Sequence, residues 1–124
     1  RQMCIRDRYQ YEKTLDVERM KEAASYLIGT HDFTSFCGNK KMKKTAVRTI
    51  YEINFTKKGN DLWIDYRGNG FLQNMVRILT GTLIEVGDGR RAPEELPQIL
   101  ESKNRENAGY TAPACGLMLM EVHY

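Results

Sequence analysis

Between residues 47 and 86 the hydrophobic period of the chain changes once, and the change falls on Gly68-Asn69-Gly70. Before that tripeptide the pattern alternates. Val47, Thr49, Tyr51, Ile53 and Phe55 share one face, Arg48, Glu52, Asn54 and Thr56 the other, and Ile50 is an apolar exception. This predicts a half-buried strand. Lys57-Lys58-Gly59-Asn60-Asp61 is turn chemistry. Leu62, Ile64 and Tyr66 then alternate against Trp63, Asp65 and Arg67, so the two runs read as a β-hairpin. After Gly70 the period becomes that of a helix, through Phe71, Leu72, Met75, Ile78, Leu79, Thr82, Leu83 and Val86, with Gly87 as its end.

The rest of the chain must cover that hairpin and helix. Asp16 is a candidate N-cap, with Glu18 near the positive helix end. Val17, Met20, Ala24, Leu27 and Ile28 follow at helical spacing, and Gly29 reads as the stop. Residues 30–46 read as a loop with two aromatics, Phe33 and Phe36. Pro93 suits the first turn of a short helix carrying Leu96, Ile99 and Leu100. Residues 103–115 are polar and irregular, and 116–124 read as a buried strand through Leu117, Leu119 and Val122. The expected class is α+β: a small, mainly antiparallel sheet with helices packed on one face. Residues 1–8 have no clean period and are set apart as a tail of doubtful origin, leaving 9–124 as a single domain.

Composition removes several classes. At 124 residues with 41% hydrophobic and 28% charged side chains, the chain can bury a real core. No apolar run approaches the roughly 20 residues of a membrane span, and no signal-peptide pattern opens the chain. Three cysteines do not make a disulfide scaffold, and a reducing cytosol is the simplest setting. Cys4, Cys37, Cys115, His31 and His123 lack metal-ligand spacing, so no metal is expected. Cys37 reads as a small loop or core residue, and phosphate-cradling glycine patterns are absent.

Two features ask for a partner. Lys40, Lys41, Lys43, Lys44 and Arg48 put five cations within nine residues with no acid between them, in a chain of net charge +3. With Phe33 and Phe36 nearby they suit a phosphate backbone, and a plain solvated loop explains them equally. Arg77 sits in an otherwise apolar helix, with Asn74, Thr80 and Gly81 at positions that share its side. A buried arginine requires a carboxylate or phosphate; an arginine snorkelling at the helix edge does not. Gly81 on that side allows another backbone to approach closely.

Four stretches together resemble the tRNA pseudouridine synthase A family in its C-terminal half: LDVERMKEAASYLIGTHDFTSF (15–36), TAVRTIYEI (45–53), GNGFLQNMVRILTGTLIEVGDGR (68–90) and TAPACGLMLMEVHY (111–124). The resemblance covers about residues 9–124, and residues 1–8 do not fit it. It implies half of a pseudouridine synthase fold, an isomerase that converts uridine to pseudouridine in the tRNA anticodon arm, and no cofactor. It implies a homodimer whose half-domains build each site around an aspartate in an Arg-Thr-Asp motif of the N-terminal half. That motif is absent here, and Asp32, Asp61, Asp65 and Asp88 do not stand in its context, so the chain alone is expected to be inactive. By the same resemblance Arg77 ion-pairs with that aspartate, Leu117 packs near the target base, and Lys40, Lys41, Lys43, Lys44 and Arg48 approach tRNA. From the residues alone, Leu117 reads equally well as a core leucine, and His31 and Asp32 as local loop hydrogen bonding. Two other readings remain open: a non-catalytic RNA-binding α+β module, and a small dimer that binds a metabolite or protein.

Overall fold

The hairpin forms and organises everything around it. In chain order the elements are β1 (Gln2–Arg6), α1 (Val17–Ser25), β2 (Gly29–Asp32), β3 (Val47–Lys58), β4 (Asp61–Gly68), α2 (Met75–Gly87), α3 (Glu95–Ser102) and β5 (Val122–His123). Short 3-10 turns occupy Thr34–Phe36 and Arg105–Asn107. This computed structural model describes residues 2–6, 16–38, 45–58, 61–112 and 122–123. The strands make one five-stranded sheet in the order β2-β3-β4-β1-β5, antiparallel at every pairing. The α+β expectation holds.

One face of the sheet is the core. Ile50, Leu62, Ile64 and Tyr66 are buried there with Met20, Ala23, Leu27, Ile78, Leu79 and Leu83 of the helices. The β4 alternation is as expected: Leu62, Ile64 and Tyr66 point inward and Arg67 is exposed. In β3 the expected face is wrong for its first half. Ile50 is fully buried, whereas Val47 is 42% and Tyr51 63% exposed. The cause is a register shift between Ile50 and Glu52, which inserts one residue opposite β4. A bulge exchanges the two faces of a strand because side chains alternate with period two. Inward positions are therefore Ile50 before the bulge and Ile53 and Phe55 after it, and the apolar exception was the core residue.

The helices are placed by specific bonds. Asp16 Oδ1 accepts the Arg19 amide at 3.2 Å, confirming the N-cap of α1. Arg19 then reaches across to the end of α2, donating from Nε to Val86 O (3.3 Å) and from Nη2 to Arg91 O (2.9 Å). Those carbonyls lie at and beyond a helix C-terminus, where cations are favoured. The helix ends at Ser25, earlier than expected; Ile28 is 38% exposed, and Gly29 opens β2 with φ +105. Pro97 is the third residue of α3, where its missing N–H removes no intrahelical bond.

Two segments differ from expectation. Residues 30–46 contain strand β2 and the turn Thr34–Phe36 as well as loop, because Phe33 and Phe36 are fully buried and pull the chain into the core. Ser35 Oγ donates to Ile99 O at 2.6 Å and fixes that turn on α3. Within the opening tail, residues 2–6 form β1. It lies inside the sheet, with Met3 opposite Ile64 and Ile5 opposite Leu62 on one side and Met3 opposite Val122 on the other. Main-chain pairing asks little of sequence, so no periodicity announced it.

Tyr66 joins sheet and helix. Its hydroxyl lies 2.8 Å from Thr80 Oγ1, which donates to Val76 O. Burial pushes the phenol well above its ordinary value, against the smaller opposing effect of the Thr80 hydrogen bond. A raised folded pKa contributes stability that is complete below about pH 10 and is lost as pH rises above it. Tyr66→Phe is expected to cost about 1 kcal/mol at neutral pH. It should also lose less stability than the parent between about pH 8 and pH 11. Denaturant unfolding of both proteins at the two pH values checks this.

Candidate active site

The site is built where α2 begins. A Cβ on Gly68 would lie 2.7 Å from Thr49 O, so the end of β4 can approach β3 only as glycine. Asn69 follows and brackets Thr49: its N–H donates to Thr49 O, and its Oδ1 accepts the Thr49 amide, both at 3.0 Å. The helix starts at Met75 and not at Phe71. Residues 73 and 74 form a turn, and Asn74 has φ +60, a left-handed value that asparagine tolerates better than most residues. Gln73 O accepts the Gly38 amide at 2.9 Å, which ties this turn to the Phe33–Phe36 segment.

Arg77 is half-buried two residues into the helix. Its Nε donates to Ala112 O at 2.7 Å, while Ala112 N donates to Arg77 O at 3.0 Å. The arginine thus holds, by both main chain and side chain, the segment that leads toward the last strand. Among the described residues no carboxylate stands within ion-pair distance of its guanidinium and no group engages Nη1 or Nη2. Each described aspartate with a bonded side chain is engaged elsewhere. Asp32 Oδ1 accepts from Thr34 N (3.0 Å) and Thr34 Oγ1 (2.5 Å). Those bonds, the hydroxyl's foremost, hold its carboxyl below the ordinary value despite some burial. Asp88 is paired with Arg90 Nη2 at 2.6 Å.

The stripe of Asn74, Arg77, Thr80 and Gly81 divides between neighbours. Thr80 is buried under Tyr66, and a Cβ on Gly38 would lie 3.0 Å from Asn74 Nδ2. Arg77 and Gly81 face residues 108–112. A Cβ on Gly81 would fall 1.9 Å from Tyr110 O and 2.9 Å from Tyr110 C, so glycine there is required by packing. Sequence reading found the reason for Gly81 but not the residues that approach it. Gly109, Tyr110 and Ala112 act through main-chain atoms, and only the small residues in that stretch hinted at a close crossing.

The other expected contacts have mixed outcomes. Leu117, Lys40, Lys41, Lys43 and Lys44 lie outside the described residues. Arg48 is half-buried at the start of β3, with Nη1 donating to Thr45 O (2.7 Å) and Val47 O (2.8 Å). Phe33 and Phe36 are core residues in edge-to-face contact, with centroids 6.3 Å apart, so they offer no face to a nucleic-acid base. Cys37 also packs in the core. His31 Nε2 hydrogen-bonds Ile28 O at 2.9 Å, a local role like that of Asp32. Among the described residues no group of His, Cys, Asp and Glu is arranged to hold a metal, and no helix is long and apolar enough to cross a membrane.

Helix propensity alone would make Gly81→Ala stabilising by about 1 kcal/mol, since the residue is mid-helix. The contact with Tyr110 reverses the sign. We expect the substitution to lower the thermal midpoint, with a cost of about 2 kcal/mol or more from displaced main chain. A rise in midpoint would show that residues 108–112 do not press on α2.

Comparison with known proteins places the chain in a family. Residues 23–124 match the family described as tRNA pseudouridine synthase. The chain is 56% identical over 110 residues to tRNA pseudouridine synthase A of Brevibacillus brevis, covering 89% of this chain and 45% of the relative. It is 50% identical over 116 residues to tRNA pseudouridine synthase A of Bacillus subtilis, covering 94% and 47%. A Bacillus cereus relative, tRNA pseudouridine synthase A 1, is 51% identical with the same coverage, 94% and 47%. The chain spans about half the length of the curated relatives it matches. A half-buried arginine strapped to the approach of the last strand, within a helix-backed antiparallel sheet, thus belongs to a chain that is a member of the tRNA pseudouridine synthase family.

Proposed function

We propose that this chain forms the C-terminal half of a tRNA pseudouridine synthase and that Arg77 holds the catalytic aspartate supplied by the N-terminal half. The observation that carries the reading is the state of Arg77. It is half-buried, and its Nε is engaged by a carbonyl. Its terminal nitrogens meet no acid among the described residues. Burying a guanidinium part-way is costly unless an anion meets it. A carboxylate arriving from another half-domain satisfies that need, and the cation in turn keeps the carboxylate ionised and oriented.

The reaction proposed is isomerisation of uridine in the tRNA anticodon arm. The bond from the sugar to N1 breaks, the base turns, a bond to C5 forms, and the C5 proton leaves. No organic cofactor or metal takes part. Leu117 lines the base pocket, giving an apolar wall to a nucleotide taken out of its stack. Lys40, Lys41, Lys43, Lys44 and Arg48 approach the tRNA backbone. The family resemblance extends the proposal to a cytoplasmic homodimer, and the chain by itself is inactive.

Mixing the chain with the aspartate-bearing N-terminal half of a relative is expected to restore release of tritium from C5-labelled uridine in tRNA. Arg77→Ala should reduce that rate by about 100-fold, the scale seen when a preorganised charge partner is removed. Undiminished activity in that variant refutes the role of Arg77. Replacing Lys40, Lys41, Lys43 and Lys44 together by glutamine should weaken tRNA binding and flatten its salt dependence. Four lost phosphate contacts lower the slope of log K against log salt by about 3. An unchanged slope removes the loop from the interface.

A further inference from the structure

Residues 108–112 cross α2 as a strap whose contacts step backward along the helix as the chain runs forward. Gly109 N donates to Thr82 Oγ1 at 2.9 Å, and Thr82 Oγ1 in turn donates to Ile78 O at 2.9 Å. Tyr110 O sits where a Cβ on Gly81 would be. Ala112 exchanges two hydrogen bonds with Arg77, N to O at 3.0 Å and O from Nε at 2.7 Å. From Thr82 to Arg77 is about 7.5 Å along a helix axis, and from Gly109 to Ala112 about 10 Å of extended chain. The two spans are compatible with a strap laid obliquely along the helix. Arg105 fastens the strap from outside, with Nη1 on Gly109 O at 2.8 Å and Nη2 on Thr111 Oγ1 at 3.1 Å.

The strap also decides how Arg77 can meet an acid. A guanidinium offers a carboxylate two kinds of bidentate edge: side-on, through Nε and one Nη, or end-on, through both Nη groups. Ala112 O already takes the single Nε proton. Only the end-on edge is left for a carboxylate. The strap thereby fixes both the direction from which the acid must come and the torsions of the side chain that receives it.

We propose that Gly81 and Thr82 are positioning residues for Arg77, acting through the strap so that the guanidinium engages its carboxylate end-on. This rests on the reading that Arg77 pairs with an aspartate of the N-terminal half. Gly81 keeps the space in which Tyr110 O lies, and Thr82 anchors Gly109; together they hold Ala112 O against Nε. Loss of either anchor lets Ala112 move away. The guanidinium then rotates, and the aspartate loses part of the cation that keeps it ionised. A pH readout separates this from a general loss of stability.

The test uses the complete polypeptide, this chain joined to the aspartate-bearing half, assayed by tritium release with tRNA in excess and across pH. Gly81→Ala and Thr82→Val are compared with the parent and with Arg77→Ala. Both positioning variants are expected to keep KM within about twofold, to lose about tenfold in kcat, and to shift the acid limb of kcat upward by about one pH unit, the lower end of what a neighbouring cation contributes. Thr82→Val changes one hydroxyl at nearly constant shape, so it carries the test if Gly81→Ala does not fold. A folded Thr82→Val protein whose acid limb coincides with the parent's overturns the positioning role, provided Arg77→Ala shows its expected loss of about 100-fold. Undiminished activity in Arg77→Ala instead overturns the underlying pairing, and the positioning role with it.

Discussion

The approach of Tyr110 O to Gly81 is the constraint on which the functional end of this domain depends. No side chain fits between the helix and the crossing segment. With that gap closed, the carbonyl of Ala112 comes within 2.7 Å of Arg77 Nε, and its amide returns a bond to the same residue. A mid-helix glycine weakens the helix by leaving the backbone freer when unfolded. The cost is offset where the absent side chain makes room for main-chain hydrogen bonds that are otherwise hard to satisfy inside a protein. The irregular stretch of ten residues that follows α3, residues 103–112, is thereby ordered without secondary structure of its own beyond one short turn.

The sheet provides the base for this arrangement. Tyr66 and Thr80 tie β4 to α2 through buried hydroxyls, and Arg19 ties α1 to the far end of the same helix. Helix α2 is therefore held at its start by the Gly38–Gln73 bond, in its middle by Tyr66, and at its end by Arg19. A side chain on such a helix has little freedom to drift. Charged groups intended to meet a partner with fixed geometry are best carried on rigid elements.

Much of the fold was legible because its signals are local. The hairpin, the Asp16 cap and the apolar stripe of α2 each follow from a pattern within a few residues, and each is present. What was not legible depends on other parts of the chain. The bulge between Ile50 and Glu52 reverses the faces of β3, and the only trace was one apolar residue out of phase. Phe33 and Phe36 look in sequence like loop aromatics beside a basic run, yet burial of their rings shapes the turn between them. Strand β1 pairs through its backbone, and its sequence has no period to reveal it. At the site, the odd arginine and the glycine one turn later could both be singled out. Their partners could not, because Tyr110 and Ala112 contribute carbonyl and amide groups that every residue possesses.

The electrostatics of the site follow from what its neighbours have already used. Asp32 has its hydroxyl and amide donors within two residues, and Asp88 has Arg90. Glu85 and Glu95 face Arg91 at the other end of α2. Apart from the Asp32–Lys103 contact at 4.0 Å, these acids are paired locally, where short sequence separation makes pairing cheap in entropy. Arg77 is the contrasting case: its side-chain bond goes to the carbonyl of Ala112, distant in sequence, which accepts a hydrogen bond but does not neutralise a charge. A half-buried cation in that state favours an incoming carboxylate over any neutral group. The preference is strongest when the arriving chain also excludes water and lowers the effective dielectric around the pair. Under the proposed pairing, a second half-domain closing over this face would do both at once. In that proposal the energy of joining the halves and the ionisation of the acid would be coupled through one guanidinium.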